Sequence, residues 1–308
     1  MRERAAQKLS AEMGRMGGGD PSSRRGDDLV VRPVRPTDRD RVIEITRDVW
    51  EGRDYLPKVF DRWASDAGAS FQAAELDGVV VGVQHLRPYA PGLVWYEGLR
   101  VASTHRRQGI ARAMLESAIV EYRQQGFREI RLATLDEPAI HMFESAGFHE
   151  LVQVRWWRAQ RIEGGEPARI PQAEDAARLW PFVASSPGID LYRGISPDLN
   201  GARDLNAAEL ERLARAGMLR LGPSGRAVSL MREPWRVNLA VALIAGRGAA
   251  LRELLLALRY EADADGADHV TVSVPPGHPA EEDLSASGYD FDDAEANAHV
   301  YALELQGR

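Results

Sequence analysis

The dipeptide Asp77-Gly78 lies between two β-rich runs, 70–76 and 79–86, and constrains this chain more than any other short feature. Both residue types tolerate the left-handed backbone of a two-residue turn, so the runs are predicted to pair as an antiparallel hairpin. A further strand reads over 93–101. The polar loop 102–108 then leads into a long helix from Gly109 to about Gln125, stopped by Gly126. After it come a strand at 129–135, a helix at 137–145 and a strand at 148–158. Ahead of the hairpin, 29–34 reads as a strand, Thr37 as the N-cap of a helix reaching about Trp50, and 57–65 as a second short helix. Hairpins first and βαβ units afterwards predict an α/β fold built on a mixed sheet.

With 308 residues there is room for two domains, and the later part of the chain partly repeats the earlier rhythm. Runs at 218–221 and 226–231 flank Gly222-Pro223-Ser224-Gly225. They are followed by a strand at 236–245, a helix at 249–263, a strand at 269–274, a short helix near 280–287 and a strand at 299–305. Glu144-Ser145-Ala146-Gly147-Phe148 is answered by Ser285-Ala286-Ser287-Gly288-Tyr289, and Gln125-Gly126 by Asp265-Gly266. The predicted organisation is a tail at 1–27 with a short helix near 5–16, a first domain at 28–160, a linker at 161–170, and a degenerate copy of the first domain at 171–308.

Acidic residues outnumber basic ones, 46 to 39, for a net charge of −7, which argues against a general nucleic-acid binder. The absence of cysteine excludes disulfides, thiolate metal sites and a cysteine nucleophile, and fits a cytoplasmic protein. No apolar run approaches the ~18 residues of a membrane span, and the N-terminus lacks a signal-peptide core. His269, His278 and His299 are scattered without metal-ligand spacing, so no metal is expected. Trp156-Trp157 reads as core or as a contact between domains.

The stretch 99–115 carries the chemistry. A strand runs into a polar loop holding Arg106, Arg107 and Gln108, and then into a helix that opens Gly109-Ile110-Ala111-Arg112. Small residues there let the backbone approach a ligand. The first amides of the helix have no partner within it, and with the helix dipole they form an anion site suited to a pyrophosphate. Glu97, two residues before Leu99, is predicted to share its side of the strand. A carboxylate at that place is a candidate general base, directly or through water.

Arg106-x-x-Gly109-x-Ala111, followed at a fitting distance by Ala139-Ile140-His141-Met142-Phe143-Glu144-Ser145-Ala146-Gly147-Phe148, resembles the signature of the GCN5-related N-acetyltransferases. The resemblance implies an acetyl-CoA site in the first half. By it, the strand before the loop splays from its neighbour, and the amides of Leu99 and Val101 face the acetyl carbonyl and pantetheine. Asp136 stands where the family carries Asn at the start of the last helix. Phe143 stands where many members carry the tyrosine that protonates the leaving thiolate, so Tyr96, Tyr89 or a water is left to substitute.

The patches from Trp50 to Pro57, Trp63, and Glu97 to Val101 are similar to the histidine N-acetyltransferase group, which also has an atypical second domain. By analogy the loop 53–57 lines the acceptor side. Asp54 would then hold a cationic group, Tyr55 would stack or hydrogen-bond, and Arg100 or Arg87 would receive a carboxylate. The acceptor implied is a small-molecule amine, an amino acid among the options. A non-catalytic acyl-CoA sensor and a protein N-acetyltransferase are the alternatives, and a homodimer is left open. In the second half Gly246-Arg247-Gly248-Ala249-Ala250-Leu251 lacks the spaced motif, so that copy is predicted not to bind CoA.

Overall fold

The computed structural model describes residues 29–233, 238–291 and 297–306. The tail at 1–27, with its short helix, lies outside them. The first block runs β1 (Leu29–Pro33), α1 (Arg39–Thr46), α2 (Leu56–Ser65), β2 (Ser70–Leu76), β3 (Val79–Ala90), β4 (Leu93–Val101), α3 (Ile110–Gln124), β5 (Glu129–Thr134), α4 (Glu137–Ser145) and β6 (His149–Gln160). The second block runs α5 (Ala176–Ala184), β7 (Ile195–Ser196), β8 (Arg203–Asp204), α6 (Ala207–Arg215), β9 (Leu219–Leu221), β10 (Val228–Met231), β11 (Asn238–Ala245), α7 (Gly248–Ala264), β12 (His269–Val274), α8 (Glu281–Ala286), β13 (Asp290–Phe291) and β14 (Ala298–Glu304). Asp77 and Gly78 take φ of +51° and +80°, as the hairpin between β2 and β3 requires.

The described strands, apart from the β7–β8 pair, join in one mixed sheet in the order β1-β2-β3-β4-β5-β14-β6-β12-β11-β10-β9, with β13 also on β6. The two blocks exchange strands. β14, at the far end of the chain, lies between β5 and β6, pairing Tyr301 with Leu132 on one side and Val300 with Val152 on the other. β6 is long enough to serve both blocks. Its residues 149–154 pair with β14, and its residues 155–160 pair with β12. Trp157 and Arg158 take β12 on one edge and β13 on the other. The strand expected at 299–305 as the end of the second copy is therefore inserted in the sheet of the first. Backbone pairing crosses the segment 161–170 in both directions.

Both blocks repeat the same local joints. Gly126 and Gly266 (φ +81° and +72°) end α3 and α7, and Gly147 and Gly288 (φ +94° and +75°) end α4 and α8. Phe148 and Tyr289 then return their amides to Phe143 and Leu284, and both rings are buried. The α3/α4 face of the first block packs Leu86, Val94, Tyr96, Leu115, Ile130 and Phe143 with Tyr301 and Leu305 from the chain's end. The α1/α2 face packs Val42, Phe60, Trp63, Phe71 and Val83. Trp157 lies in the second block's core, against α7, so the strand exchange also exchanges core residues.

Candidate functional site

The parallel pairing of β4 with β5 covers only Leu93, Val94 and Trp95. Beyond Trp95 the two strands part, and the β5-side edge of β4 has no strand partner among the described residues. Ala102 donates its amide to Val81 on β3 at 2.8 Å. Amides alternate along a strand, so those of Val101 and Leu99 point to the opposite edge, into the splay. Backbone donors at such a place need no particular side chain, which is why Leu and Val can stand there.

The splay leads to the mouth of α3. The loop 103–109 is exposed or half-buried, Arg107 and Gly109 take φ of +61° and +82°, and nothing lies within 4 Å of a Cβ built on Gly109. The first backbone bond accepted by Gly109 comes from Ala113, so the amides of Ile110, Ala111 and Arg112 have no backbone acceptor among the described contacts. A fifteen-residue helix thus presents its positive end to an open, glycine-lined turn. Arg106 is exposed, its Nε on the Val101 carbonyl at 3.2 Å. Gln108 reaches the Thr104 carbonyl, and Arg112 bridges Glu116 at 2.9 Å and Ser145 at 3.4 Å. Amides and cations so arranged at a helix N-terminus form the kind of mouth that can hold an anion such as a phosphate.

Glu97 is placed differently from the alternation argument. Gly98 takes φ +69° and forms a bulge against β3, so Glu97 and Leu99 do not follow simple two-residue alternation. Only glycine fits, because a Cβ there would meet the Trp63 ring at 2.7 Å. The Glu97 Oε1 is held by Arg87 Nε at 3.0 Å and lies 3.2 Å from His85 Nδ1. His85 is fully buried and stacks on Trp63 at 4.0 Å. Oε2 takes no hydrogen bond among the described contacts, and the side chain is 18% exposed. His85, which the sequence reading did not single out, is therefore the inner support of this carboxylate. Its pairing with Glu97 across the β3–β4 hairpin was the available signal.

The acceptor-side residues are brought together, but onto one another. Arg100 grips Asp54 with Nε at 2.6 Å and Nη2 at 3.3 Å, and Asp54 Oδ1 also accepts the Leu56 amide at 3.0 Å. The Asp54 side chain is 1% exposed. A carboxylate so engaged is committed to holding the loop ahead of α2. The Arg100 guanidinium also lies 4.8 Å from the Trp50 ring and 5.6 Å from Tyr55. Tyr55 stacks on Trp50 and meets Trp63 edge-on, and burial pushes its phenol well above the usual range. Trp50 and Glu51 are both left-handed (φ +46° and +58°), a costly arrangement that leaves the Trp50 ring half exposed beside Arg100.

Asp136 is the exposed N-cap residue of α4. Phe143 lies in the core, edge-on to Tyr96 at 5.7 Å, and carries no proton to give. Neither tyrosine takes its place. Tyr96 donates to Gln84 Oε1 inside the core at 2.9 Å, and Tyr89 donates to the Ala202 carbonyl.

The second block has the same two features with their donors occupied. β11 pairs with β12 from Asn238 to Val241 and then parts from it. Counting from the first parallel pair, Leu93 with Glu129 and Asn238 with His269, Ile244 and Gly246 correspond to Leu99 and Val101. The Ile244 amide lies beside the hydroxyl of Tyr192, a fully buried ring that donates to the Ser273 carbonyl at 3.2 Å. The Gly246 amide donates to Ser186 Oγ at 2.6 Å. At the mouth of α7, Asp283 accepts from the Gly248 amide at 2.7 Å and from Arg252 at 2.6 Å. A hydroxyl and a carboxylate of the chain itself thus occupy two donors whose counterparts in the first block have no such partner among the described contacts.

Residues 39–148 match the Acetyltransferase (GNAT) family. Among curated proteins, the human "Probable N-acetyltransferase 16" is 29% identical over 138 residues, 44% of this chain and 37% of that protein. The "Histidine N-acetyltransferase" of Oreochromis niloticus is 28% identical over 110 residues, 35% of this chain and 33% of that protein. The chain thus matches about a third of these relatives' lengths. Among solved structures, the GCN5-related N-acetyltransferase from Sphaerobacter thermophilus aligns with a TM-score of 0.56 at 11% identity, covering 91% of this chain and 96% of its own. That likeness concerns the fold, and it spans both blocks. With the splayed strand and the open helix mouth, these matches show that the first block, over residues 39–148, is similar to the GNAT acetyltransferases.

Proposed function

We propose that the protein is an acetyl-CoA-dependent N-acetyltransferase acting on the amine of a small molecule, with one acyl-CoA site per chain in the first block. One observation carries the reading: the edge of β4, the amides at the mouth of α3 and the Oε2 of Glu97, all without partners among the described residues, belong to one continuous stretch, Glu97 to Arg112. The Ile110–Arg112 amides, with Arg106 and Arg107, bind the diphosphate. The Leu99 and Val101 amides orient the acyl carbonyl and stabilise negative charge as it grows on that oxygen. Acetyl-CoA supplies the activated acyl group.

The acceptor amine has to be neutral to attack. At pH 7 this costs roughly 4.6 kcal/mol for a lysine-type amine of pKa about 10.4 and roughly 1 kcal/mol for an α-amino group of pKa about 8. Glu97 Oε2 takes that proton, directly or through water. An α-amine demands least of such a base, so an amino acid or a similar small amine is the favoured class. The histidine N-acetyltransferases among the relatives agree with it. Neither Tyr96 nor Tyr89 replaces Phe143, and solvent protonates the leaving thiolate. A thiol is a weak acid of pKa about 8.5, so little help is required.

Phe143 favours a second reading, a module that binds acyl-CoA without turnover. Release of free thiol from acetyl-CoA, followed with a panel of amino acids and small amines, separates the two. Acceptor-dependent thiol release together with an acetylated amine by mass spectrometry is the expected result. Acetyl-CoA binding with no release for any amine would leave the module reading standing, and transfer to protein alone would point to a protein substrate.

A further inference from the structure

We propose that the segment Asn200–Arg203 of the second block positions the Glu97 carboxylate from behind, by taking one nitrogen of Arg87 away from it. The inference rests on Glu97 being the base.

Arginine and carboxylate ordinarily close a two-toothed fork, and such a fork would engage both oxygens of Glu97. It does not form here. Arg87 gives Nε to Glu97 Oε1 at 3.0 Å and gives Nη2 to the backbone carbonyl of Asn200. The carbonyl of a residue 113 positions away in the chain thus satisfies the donor that would otherwise reach Oε2. His85 and Arg87 hold one oxygen, and the other is left for a proton.

The carbonyl is itself anchored. Ala202 accepts from Tyr89 and from Arg131 Nη1, the latter at 3.1 Å. Arg203 donates back to the Tyr89 carbonyl, with its guanidinium 5.3 Å from the Tyr89 ring. Arg131 is buried and also pairs with Glu129 and Asp204. Gly201 has φ +151°, and a Cβ on it would stand 3.0 Å from the Tyr89 ring, so the close approach depends on glycine. Leu199 and Ala202 bury against Trp95, two residues before Glu97. The second block therefore clamps β3 and β4 at the level of the base. Arg87 is a positioning residue in this arrangement, acting through Glu97 and requiring no contact with the acceptor.

The test is a set of full-length variants, Arg87→Gln, Arg87→Lys and Gly201→Val, each alone and combined with Glu97→Gln. In the wild-type background we expect kcat to fall about tenfold for Arg87→Gln and Gly201→Val, with partial recovery for Arg87→Lys and an unchanged KM for acetyl-CoA. In the Glu97→Gln background the same changes should cost nothing further, because groups acting through one residue are not additive. Losses that multiply in the double variants, or full rates in the singles, overturn the positioning role. Wild type without turnover refutes the enzymatic reading instead. The clamp is then judged by the NMR resonance of the Arg87 Nε–H, which should shift in Gly201→Val. An unmoved resonance overturns it.

Discussion

The two blocks build the same splayed strand and the same helix mouth, and differ in what their backbone donors meet. In the first, the amides of Leu99, Val101 and Ile110–Arg112 have no backbone acceptor among the described contacts. In the second, the Gly246 and Gly248 amides are taken by Ser186 and Asp283, and Tyr192 stands beside the Ile244 amide. An unsatisfied buried amide costs about 1–3 kcal/mol, so internal partners for such donors stabilise a block that binds no ligand there. A copy that binds must leave those groups to the ligand. The comparison shows that the fold alone does not make the site. The site is the set of donors the fold leaves unsatisfied.

Blocking the open mouth is the strongest way to break this contrast. Gly109→Glu places a bulky anion at a left-handed position facing the diphosphate, and we expect acetyl-CoA affinity to fall by about a thousandfold. Titration calorimetry on the folded variant reads it, and retained affinity would remove the mouth from the site. Next in size is Glu97→Gln, expected to lower kcat roughly a hundredfold with acetyl-CoA binding intact. A steady-state assay with binding measured in parallel decides this, and a full rate would mean that the base is another group.

The closed copy should respond in stability and not in binding. His278 is buried behind Tyr192, with ring centroids 5.6 Å apart, and its Nδ1 accepts the Ala280 amide. Burial lowers its pKa from 6.5 to about 4, against a smaller opposing effect of Asp190. The unfolded chain therefore binds this proton first. The contribution is fully present above about pH 6.5 and is lost as pH falls toward 4, by roughly 3 kcal/mol at most. Urea unfolding between those pH values checks it, and His278→Gln should flatten that part of the curve. The smallest effect belongs to Asp283→Ala, which leaves the Gly248 amide and Arg252 without their partner. It should cost about 2 kcal/mol in unfolding free energy, with acetyl-CoA stoichiometry unchanged.

What the sequence discloses about these regions follows the range of the interactions. The Asp77-Gly78 hairpin, the helix opening at Gly109 and the repeated Gly147-Phe148 and Gly288-Tyr289 joints are local, and their signals lie within a few residues. The strand exchange is not local. Val300 pairs with Val152 across half the chain, and nothing in the composition of 298–304 distinguishes a strand that returns to its own block from one that crosses. The side of β4 that carries Glu97 was misjudged because alternation assumes an unbroken strand. Gly98 inside a β-rich run was the mark of the bulge. Asp54 and Arg100 were both sensed as special, but their charges neutralise each other, a relation that depends on a loop closing over 46 positions. α5 and α6 lie in 171–217, where the sequence reading names no element. They are short, and one of them holds Pro181.

The most direct measurement is the number of acetyl-CoA molecules bound per chain, by titration calorimetry of the wild type. One site is expected, abolished by Gly109→Glu and untouched by Asp283→Ala. Two sites, or a single site that survives Gly109→Glu, would contradict the division of the molecule into an open copy and a self-filled one.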